Sequence, residues 1–295
     1  MSFRASRLLL LLGLAVSSLA SAGLMAALFP SVSSAAPTVT FKARAIPIPG
    51  FRGTGNILGA GAALQVQYMI KGTEYGGFPP PLIGINFYTP AGTKVNAHGF
   101  PVCQPSALQN MGPRACPKRS KVTLSGTALG VVSFGTERVD ERASIEAFFA
   151  PGGALQFYTS GSSPVSLEFL SPSHVASAPG PFAQKYVTSV PLIETVPGAP
   201  DASALSVEVK IGAAFKKGKH VTYYGRVPKR CPKGGFPLKS ELLFAGVGGL
   251  APQTVPVSYR APCPRGSHAA RQARRGGKRG HARSAHGKRP ANRHS

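Results

Sequence analysis

The stretch ASIEAFFAPGGALQFYT, residues 143–159, decides the fold class of this 295-residue chain. Residues 143–149 and 154–159 alternate apolar with polar side chains, which is the period of a strand that buries one face. Between them, Pro151, Gly152 and Gly153 favour a turn, because Pro presets φ and Gly adopts positive φ. The stretch therefore predicts two strands separated by a turn.

The same alternation recurs over most of the chain. It predicts further strands at residues 39–45, 63–70, 82–88, 121–128, 131–134, 165–170, 186–193, 205–215, 220–226, 238–244 and 254–259. Clusters of Pro and Gly separate these runs and exclude long helices, so the only helical candidates are the short segments 105–110 and 181–186. About a dozen short strands at this spacing predict an all-β fold, an antiparallel β-sandwich.

Two repeated motifs leave the number of lobes open. Gly-Phe-Pro begins at Gly77, Gly99 and Gly235, and Cys-Pro followed by a basic residue begins at Cys116, Cys231 and Cys263. If these motifs mark two related units, the body over residues 36–263 has a lobe boundary near residues 195–204. If Pro-rich turns beside cysteines resemble one another by chance, the body is one large sandwich, and the sequence favours this interpretation.

The first 35 residues follow the order of a secretory signal peptide. Arg4 and Arg7 precede an apolar run over residues 8–28, and small residues close the segment at residues 33–36. Cleavage is expected after Ala22 or after Ala35. The apolar run is also close to the roughly 20 residues that span a bilayer, so an uncleaved anchor is the alternative. Either way, the segment predicts a secreted or cell-envelope protein.

Export determines how the cysteines are interpreted. Cys103, Cys116, Cys231 and Cys263 are the only four in the chain. An even number in an exported chain predicts two disulfides. Three pairings are open, and the sequence-local one, Cys103–Cys116 with Cys231–Cys263, is favoured. A zinc site is disfavoured because no two cysteines have C-x-x-C spacing.

The charge of the chain is strongly one-sided. Lys and Arg number 34 against 10 Asp and Glu, for a net charge of +24. Residues 264–295 contain ten basic residues and no acidic one, so like charge, Gly and Pro predict a disordered tail. The expected partners of the tail are anionic cell-envelope polymers or lipid headgroups, with nucleic acid less favoured. The alternative is a solvated extension that binds nothing. The candidate polyanion-binding residues are Arg271, Arg274, Arg275, Lys278, Arg279, Arg283, Lys288, Arg289 and Arg293.

Motifs of catalysis are scarce. The sequence contains no G-x-S-x-G, H-E-x-x-H or G-x-x-x-x-G-K-[ST] pattern, and His98, His174 and His220 lack ligand spacing. The acidic residues Glu137, Asp140, Glu141 and Glu146 cluster, and a glycosidase needs two facing carboxylates. Since they alternate with Arg138 and Arg142, an ion-paired polar loop is the favoured interpretation. We therefore predict no catalytic, cofactor-binding or metal-binding residues and no cofactor, and the sequence leaves the oligomeric state open.

Aromatic pairs are the remaining candidate for recognition. Phe148-Phe149, Phe157-Tyr158 and Tyr223-Tyr224 each place one ring on each face of a strand. One interpretation is that the outward rings form an exposed platform that binds sugar or peptide. The favoured interpretation is that the pairs contribute to core packing.

Several segments carry a resemblance. They are GTEYGGFP at residues 72–79, PAGTK at 90–94, VPGAP at 196–200 and KRCPKGGFP at 229–237. In these segments the chain resembles exported β-rich proteins of high-GC actinobacteria, a group without an assigned activity, over most of residues 37–264. The resemblance implies secretion and a β-rich fold, and it implies no activity and no site residues.

Together these features predict a secreted or envelope-associated, non-catalytic protein. Its expected role is structural or adhesive, with the basic tail bound to anionic envelope polymers. The alternatives are a secreted hydrolase acting on envelope carbohydrate and an extracellular nucleic-acid-binding protein.

Overall fold

The computed structural model describes residues 36–134, 136–246, 249 and 251–265. The expected signal peptide, residues 1–35, and the tail residues 266–295 lie outside this part of the chain, so both expectations stay predictions. Within the described ranges, no helix is long and apolar enough to span a bilayer.

Strands dominate the described residues. They are β1 (Thr38–Ile46), β2 (Ala63–Lys71), β3 (Leu82–Pro90), β4 (Lys94–Val95), β5 (Thr123–Phe134), β6 (Glu137–Phe149), β7 (Leu155–Gly161), β8 (Leu167–Ser177), β9 (Phe182–Ser189), β10 (Ser203–Ile211), β11 (Ala214–Lys217), β12 (His220–Tyr223), β13 (Gly225–Arg226), β14 (Phe236–Phe244) and β15 (Gln253–Ala261). The helical segments are α1 (Pro105–Met111) and the 3₁₀ turns Pro113–Ala115, Lys118–Ser120 and Pro151–Gly153.

The two helical candidates have different outcomes. The candidate at residues 105–110 is confirmed as α1. The candidate at residues 181–186 is wrong, because this segment belongs to β9, which pairs with β3 on one side and with β8 on the other.

Eleven strands form one antiparallel sheet in the order β1-β2-β10-β5-β6-β7-β8-β9-β3-β14-β15. Its two outer strands, β1 and β15, lie against each other, so the sheet is nearly barrel-shaped. The predicted all-β antiparallel fold is confirmed, but a sandwich of two stacked sheets is not confirmed. Strand twist accumulates across eleven strands and curls the single sheet around its apolar face. Strands on both sides of residues 195–204 belong to this same sheet.

The curled sheet has two ends. We call the end where β1 begins the leading end and the end where β15 finishes the trailing end. Since neighbouring strands are antiparallel, the connections divide cleanly between the two. The described residues of the leading-end connections are 72–81, 136, 162–166, 190–202, 245–246, 249 and 251–252. The trailing-end connections are residues 47–62, 91–122, 150–154, 178–181, 212–235 and 262–265.

Trailing-end connections interlock with one another. The backbone of Asn96 donates to the Tyr224 carbonyl at 2.8 Å, and the backbone of Ala62 donates to the Gly225 carbonyl at 3.0 Å. The backbone of Val227 donates to the Ala60 carbonyl at 2.9 Å. Residues 47–62, 91–100 and 212–235 are therefore joined into one layer, which we call the cap.

The inward faces of β1, β2, β3 and β14 form the tightest part of the core. Phe41 stacks on Tyr68 with ring centroids 5.3 Å apart and meets the edge of Phe87 at 6.1 Å. Leu242 and Phe244 of β14 are completely buried beside them. Bulky side chains thus fill the interior on this side of the sheet.

Helix α1 packs on the outer wall of the sheet. Leu108 is fully buried, in a cluster with Phe148 of β6 and Tyr158 of β7. Disulfide Cys103–Cys116 closes the loop that carries α1. The outward rings Phe148 and Tyr158 are therefore buried under the helix, so the idea that they form an exposed aromatic platform is wrong.

Candidate ligand cavity

A cavity of about 720 Å³ lies inside the curled sheet. Each of the eleven strands contributes at least one lining residue, and so does the cap through Ala62, Val95 and Tyr224. The cavity is therefore bounded by the whole sheet, and the cap covers it at the trailing end.

Small residues on β5, β6 and β10 produce the cavity. Ala128 pairs with Ala143, and Gly130 pairs with Glu141 and Ala204. These positions face inward, where the other side of the sheet carries Phe41, Tyr68 and Phe87. The missing side-chain volume leaves space that a close-packed core would fill.

Apolar side chains around this space are partly accessible although they face inward. Phe157, Phe169, Leu64, Ile85 and Val207 line the cavity and are half-buried rather than buried. An inward apolar residue that keeps accessible surface has no packing partner on that side. The wall is thus apolar surface that a ligand can cover.

Two tyrosine hydroxyls provide a polar point in the wall. Tyr186 of β9 and Tyr224 of the cap lie with their hydroxyl oxygens 3.1 Å apart. Burial raises the pKa of Tyr186 to about 12 and raises the pKa of Tyr224 well above its usual value of 10.0. Both groups are neutral near pH 7. Because one hydroxyl donates to the other, the pair keeps one proton that it can donate to a ligand.

Glu141 is the charged residue deepest in the wall, with 2% of its surface exposed. Its Oε2 accepts a hydrogen bond from the backbone of Val165 at 3.1 Å, and its Oε1 lies against Gly161, where a Cβ would collide. The carboxylate therefore holds the turn 162–166 against β6 at the leading end.

The acidic cluster does not form the polar loop expected from the sequence. Residues 137–149 form strand β6, because pairing with β5 and β7 satisfies its backbone. Alternation directs Asp140 outward and Glu141 inward, and Glu146 pairs with Lys121 at 2.8 Å. The four carboxylates are thus divided between the two faces of one strand.

Other candidate groups for chemistry lie apart on the surface. His98, His174 and His220 are exposed, on the cap, on β8 and on β12. Throughout the described part of the chain, no group of three or more His, Cys, Asp or Glu residues is placed to hold a metal ion.

Both expected disulfides are present. Cys103–Cys116 spans 13 residues and Cys231–Cys263 spans 32. The second joins a cap loop to the end of β15. The candidate polyanion-binding residues, Arg271 to Arg293, lie outside the described residues, and their role stays a prediction.

Comparison with known proteins gives no further guide to this cavity. No protein-family model matches the chain, and no curated protein or solved structure is significantly similar to it. The function must therefore be inferred from the geometry of the site.

Sequence reasoning missed the cavity, although one signal of it exists. Ala128, Gly130 and Ala143 occupy inward strand positions, and bulkier residues follow them on the same face, Val132 on β5 and Ile145 on β6. Small residues at consecutive inward positions mark a thin part of a core. Which strands face them across the interior depends on the pairing of distant strands.

Proposed function

We propose that this protein is an exported, non-catalytic binding protein that holds an apolar small molecule inside its sheet. The observation that carries the proposal is the cavity of about 720 Å³ behind inward apolar side chains. Its size falls in the range of about 300–1,000 Å³ that is usual for small-molecule sites. Curled antiparallel sheets of similar strand number commonly hold one ligand in this position.

The chemistry of the wall selects the ligand. Most of the residues that line the cavity are apolar, with a few polar groups among them, so the cavity favours an occupant with an apolar body. Each Å² of apolar surface removed from water contributes about 25 cal/mol to binding. The Tyr186–Tyr224 pair offers one proton for an oxygen or nitrogen atom of the ligand. The expected ligand has an apolar body and few hydrogen-bonding groups.

Localisation forms part of the same proposal. The signal-like residues 1–35 and the two disulfides support a place outside the cytoplasm. The basic tail would keep the protein near anionic polymers of the cell envelope, where apolar molecules of the envelope are within reach.

The test is a cavity-filling substitution with a matched control on the same strand. Ala128→Phe places a ring inside the cavity, whereas Thr127→Phe places the same ring on the outer face of β5. The purified protein is titrated with a fluorescent long-chain fatty acid, and native mass spectrometry of the secreted protein identifies any co-purified ligand. We expect Ala128→Phe to weaken probe binding at least about tenfold, since one bulky group removes several CH₂-sized contacts of about 0.8 kcal/mol each. Thr127→Phe should bind normally.

Two results would contradict the proposal. One is equal probe binding by the two variants, which would place the probe outside the cavity. The other is the absence of saturable binding of any apolar probe by the folded protein.

A further inference from the structure

Charge is divided between the two ends of the sheet. The trailing-end connections contain fourteen Lys and Arg residues and no Asp or Glu. The leading-end connections contain Glu74, Glu194 and Asp201 and no Lys or Arg. The body is therefore electrically polarised along the axis of the curled sheet, with a cationic trailing end.

Most of this positive charge faces solvent. Thirteen of the fourteen basic residues are exposed, and Arg226 is half-buried. Among the described residues, Lys121 is the only one of the fourteen with an ion pair, to Glu146. Nine of the exposed residues form three groups: Lys118, Arg119 and Lys121; Lys216, Lys217 and Lys219 of the β11–β12 hairpin; and Lys229, Arg230 and Lys233 beside the Cys231–Cys263 disulfide. Uncompensated charge at this density attracts an anionic partner.

Four of the eight large apolar side chains that are exposed among the described residues lie at this end of the sheet. Ile57 of the cap is 50% exposed and Val102 is 39% exposed. Leu124, 37% exposed, lines a groove of about 240 Å³ together with Lys118, Arg119 and Phe51. Apolar residues among basic ones are the composition of surfaces that lie in the headgroup region of a bilayer. A purely polar polyanion would leave these apolar groups in water.

We propose that the trailing end docks on an anionic lipid bilayer. The three basic groups contact the headgroups, and Ile57 and Val102 enter the boundary between headgroups and acyl chains. The basic tail continues from Arg265 at this same end, so its charge adds to that of the docking surface. This docking would occur whether or not the cavity holds a ligand.

The test measures how the full-length protein partitions onto vesicles. Phosphatidylcholine vesicles with and without phosphatidylglycerol are sedimented with the protein. The variant Lys216→Gln, Lys217→Gln, Lys219→Gln removes three charges from the hairpin. The control variant Lys42→Gln, Lys71→Gln, Arg142→Gln removes three charges from exposed positions on the sheet wall.

Each basic residue near an anionic surface contributes about 1 kcal/mol, so we expect the hairpin variant to bind anionic vesicles about a hundredfold more weakly. The wall variant should lose far less, and vesicles without phosphatidylglycerol should bind little of any variant. Equal losses in the two triple variants would overturn the docking surface, since general charge would then explain the attraction.

A second variant separates a bilayer from a soluble polyanion. Ile57→Ser with Val102→Ser should weaken binding to anionic vesicles while leaving binding to polyphosphate unchanged. If vesicle binding is unchanged as well, the bilayer assignment is wrong and the surface is a general polyanion site. Far-ultraviolet circular dichroism confirms that each variant is folded.

Discussion

At the scale of single residues, a buried hydrogen-bond chain joins the two sides of the core. The Tyr68 hydroxyl lies 2.9 Å from Ser240 Oγ, which donates to the Asn86 carbonyl at 2.9 Å. Burial raises the pKa of Tyr68 far above its usual value of 10.0, while its hydrogen bond with Ser240 acts in the opposite direction. Tyr68 therefore remains a neutral donor, and Ser240 is its acceptor.

The chain predicts unequal effects for its two members. Tyr68→Phe removes one neutral hydrogen bond and leaves Ser240 bonded to Asn86, so we expect a loss of about 1 kcal/mol in the free energy of unfolding. Ser240→Ala leaves a buried Tyr68 hydroxyl without its acceptor, which costs about 1–3 kcal/mol. Denaturant unfolding of both single variants and of the double variant gives the coupling energy.

The double variant is the informative one. With both polar groups removed, no buried hydroxyl is left unpaired, so the double variant should be no less stable than Ser240→Ala alone. Strictly additive losses would contradict the proposed donor and acceptor roles.

At the scale of elements, a polar cluster on the outer wall connects β3 with β14. Glu241 of β14 accepts hydrogen bonds from Tyr88 at 2.8 Å and from Asn86 at 3.2 Å, both on β3, and pairs with Lys239 at 2.7 Å. Partial burial raises the pKa of Glu241, but the hydrogen bonds from Lys239, Tyr88 and Asn86 outweigh it, so the net pKa is lowered. The folded protein thus favours the ionised carboxylate.

This cluster predicts a stability difference that depends on pH. Because the folded-state pKa is lowered, the contribution of Glu241 is present above the unfolded pKa of about 4.3 and is lost as pH falls through the folded value. Glu241→Gln should therefore destabilise the protein at pH 7, by about 1 kcal/mol for a pair near the surface, and the difference should shrink below about pH 4.

The matched control is Glu137→Gln, which removes the same charge from an exposed position of β6. Thermal or denaturant unfolding is measured for both variants from pH 3 to pH 7. A difference between Glu241→Gln and the parent protein that stays constant with pH would show that the ionised cluster does not stabilise the β3–β14 pair.

The elements themselves were largely predictable, because alternation within one strand is a local property. Residues 143–149 lie within β6, and residues 154–159 overlap β7. The prediction of a polar loop at residues 137–142 was wrong, because the alternating charges of these residues do not prevent their backbone from pairing with the neighbouring strand β5. Strand β6 accommodates these charges because its outward face is exposed to solvent. On its inward face, Glu141 accepts a hydrogen bond from the backbone N–H of Val165.

Closure of the sheet and the cavity could not be predicted, because both depend on contacts between distant residues. Val207 of β10 pairs with Tyr68 on one side and with Ala128 on the other. Nothing local in residues 203–211 indicates that this strand lies between β2 and β5. Without that placement, the small residues Ala128, Gly130 and Ala143 cannot be recognised as the wall of a cavity.

At the scale of the whole molecule, the uneven charge extends beyond the body. Cys263 is bonded to Cys231 at the trailing end, so the basic segment that follows Arg265 is attached where the connections are already cationic. Attachment at one end orients the molecule, because an anionic surface then attracts the trailing end and repels the acidic connections at the leading end.

The tail prediction is tested by changing its length and its charge separately. One chain ends at Pro264. A second keeps the full length but carries Gln at Arg271, Arg274, Arg275, Lys278, Arg279, Arg283, Lys288, Arg289 and Arg293.

Cultures that secrete each form are fractionated into cell wall and medium across a salt series. If charge holds the protein to envelope polymers, both altered chains shift to the medium, and the salt needed to release the parent protein exceeds the salt that releases either of them. Retention of the full-length chain with the nine Gln substitutions would instead assign the attachment to the length of the tail. Identical distributions of all three forms would show that the tail does not attach the protein, and the cationic trailing end of the body would remain as the attachment surface.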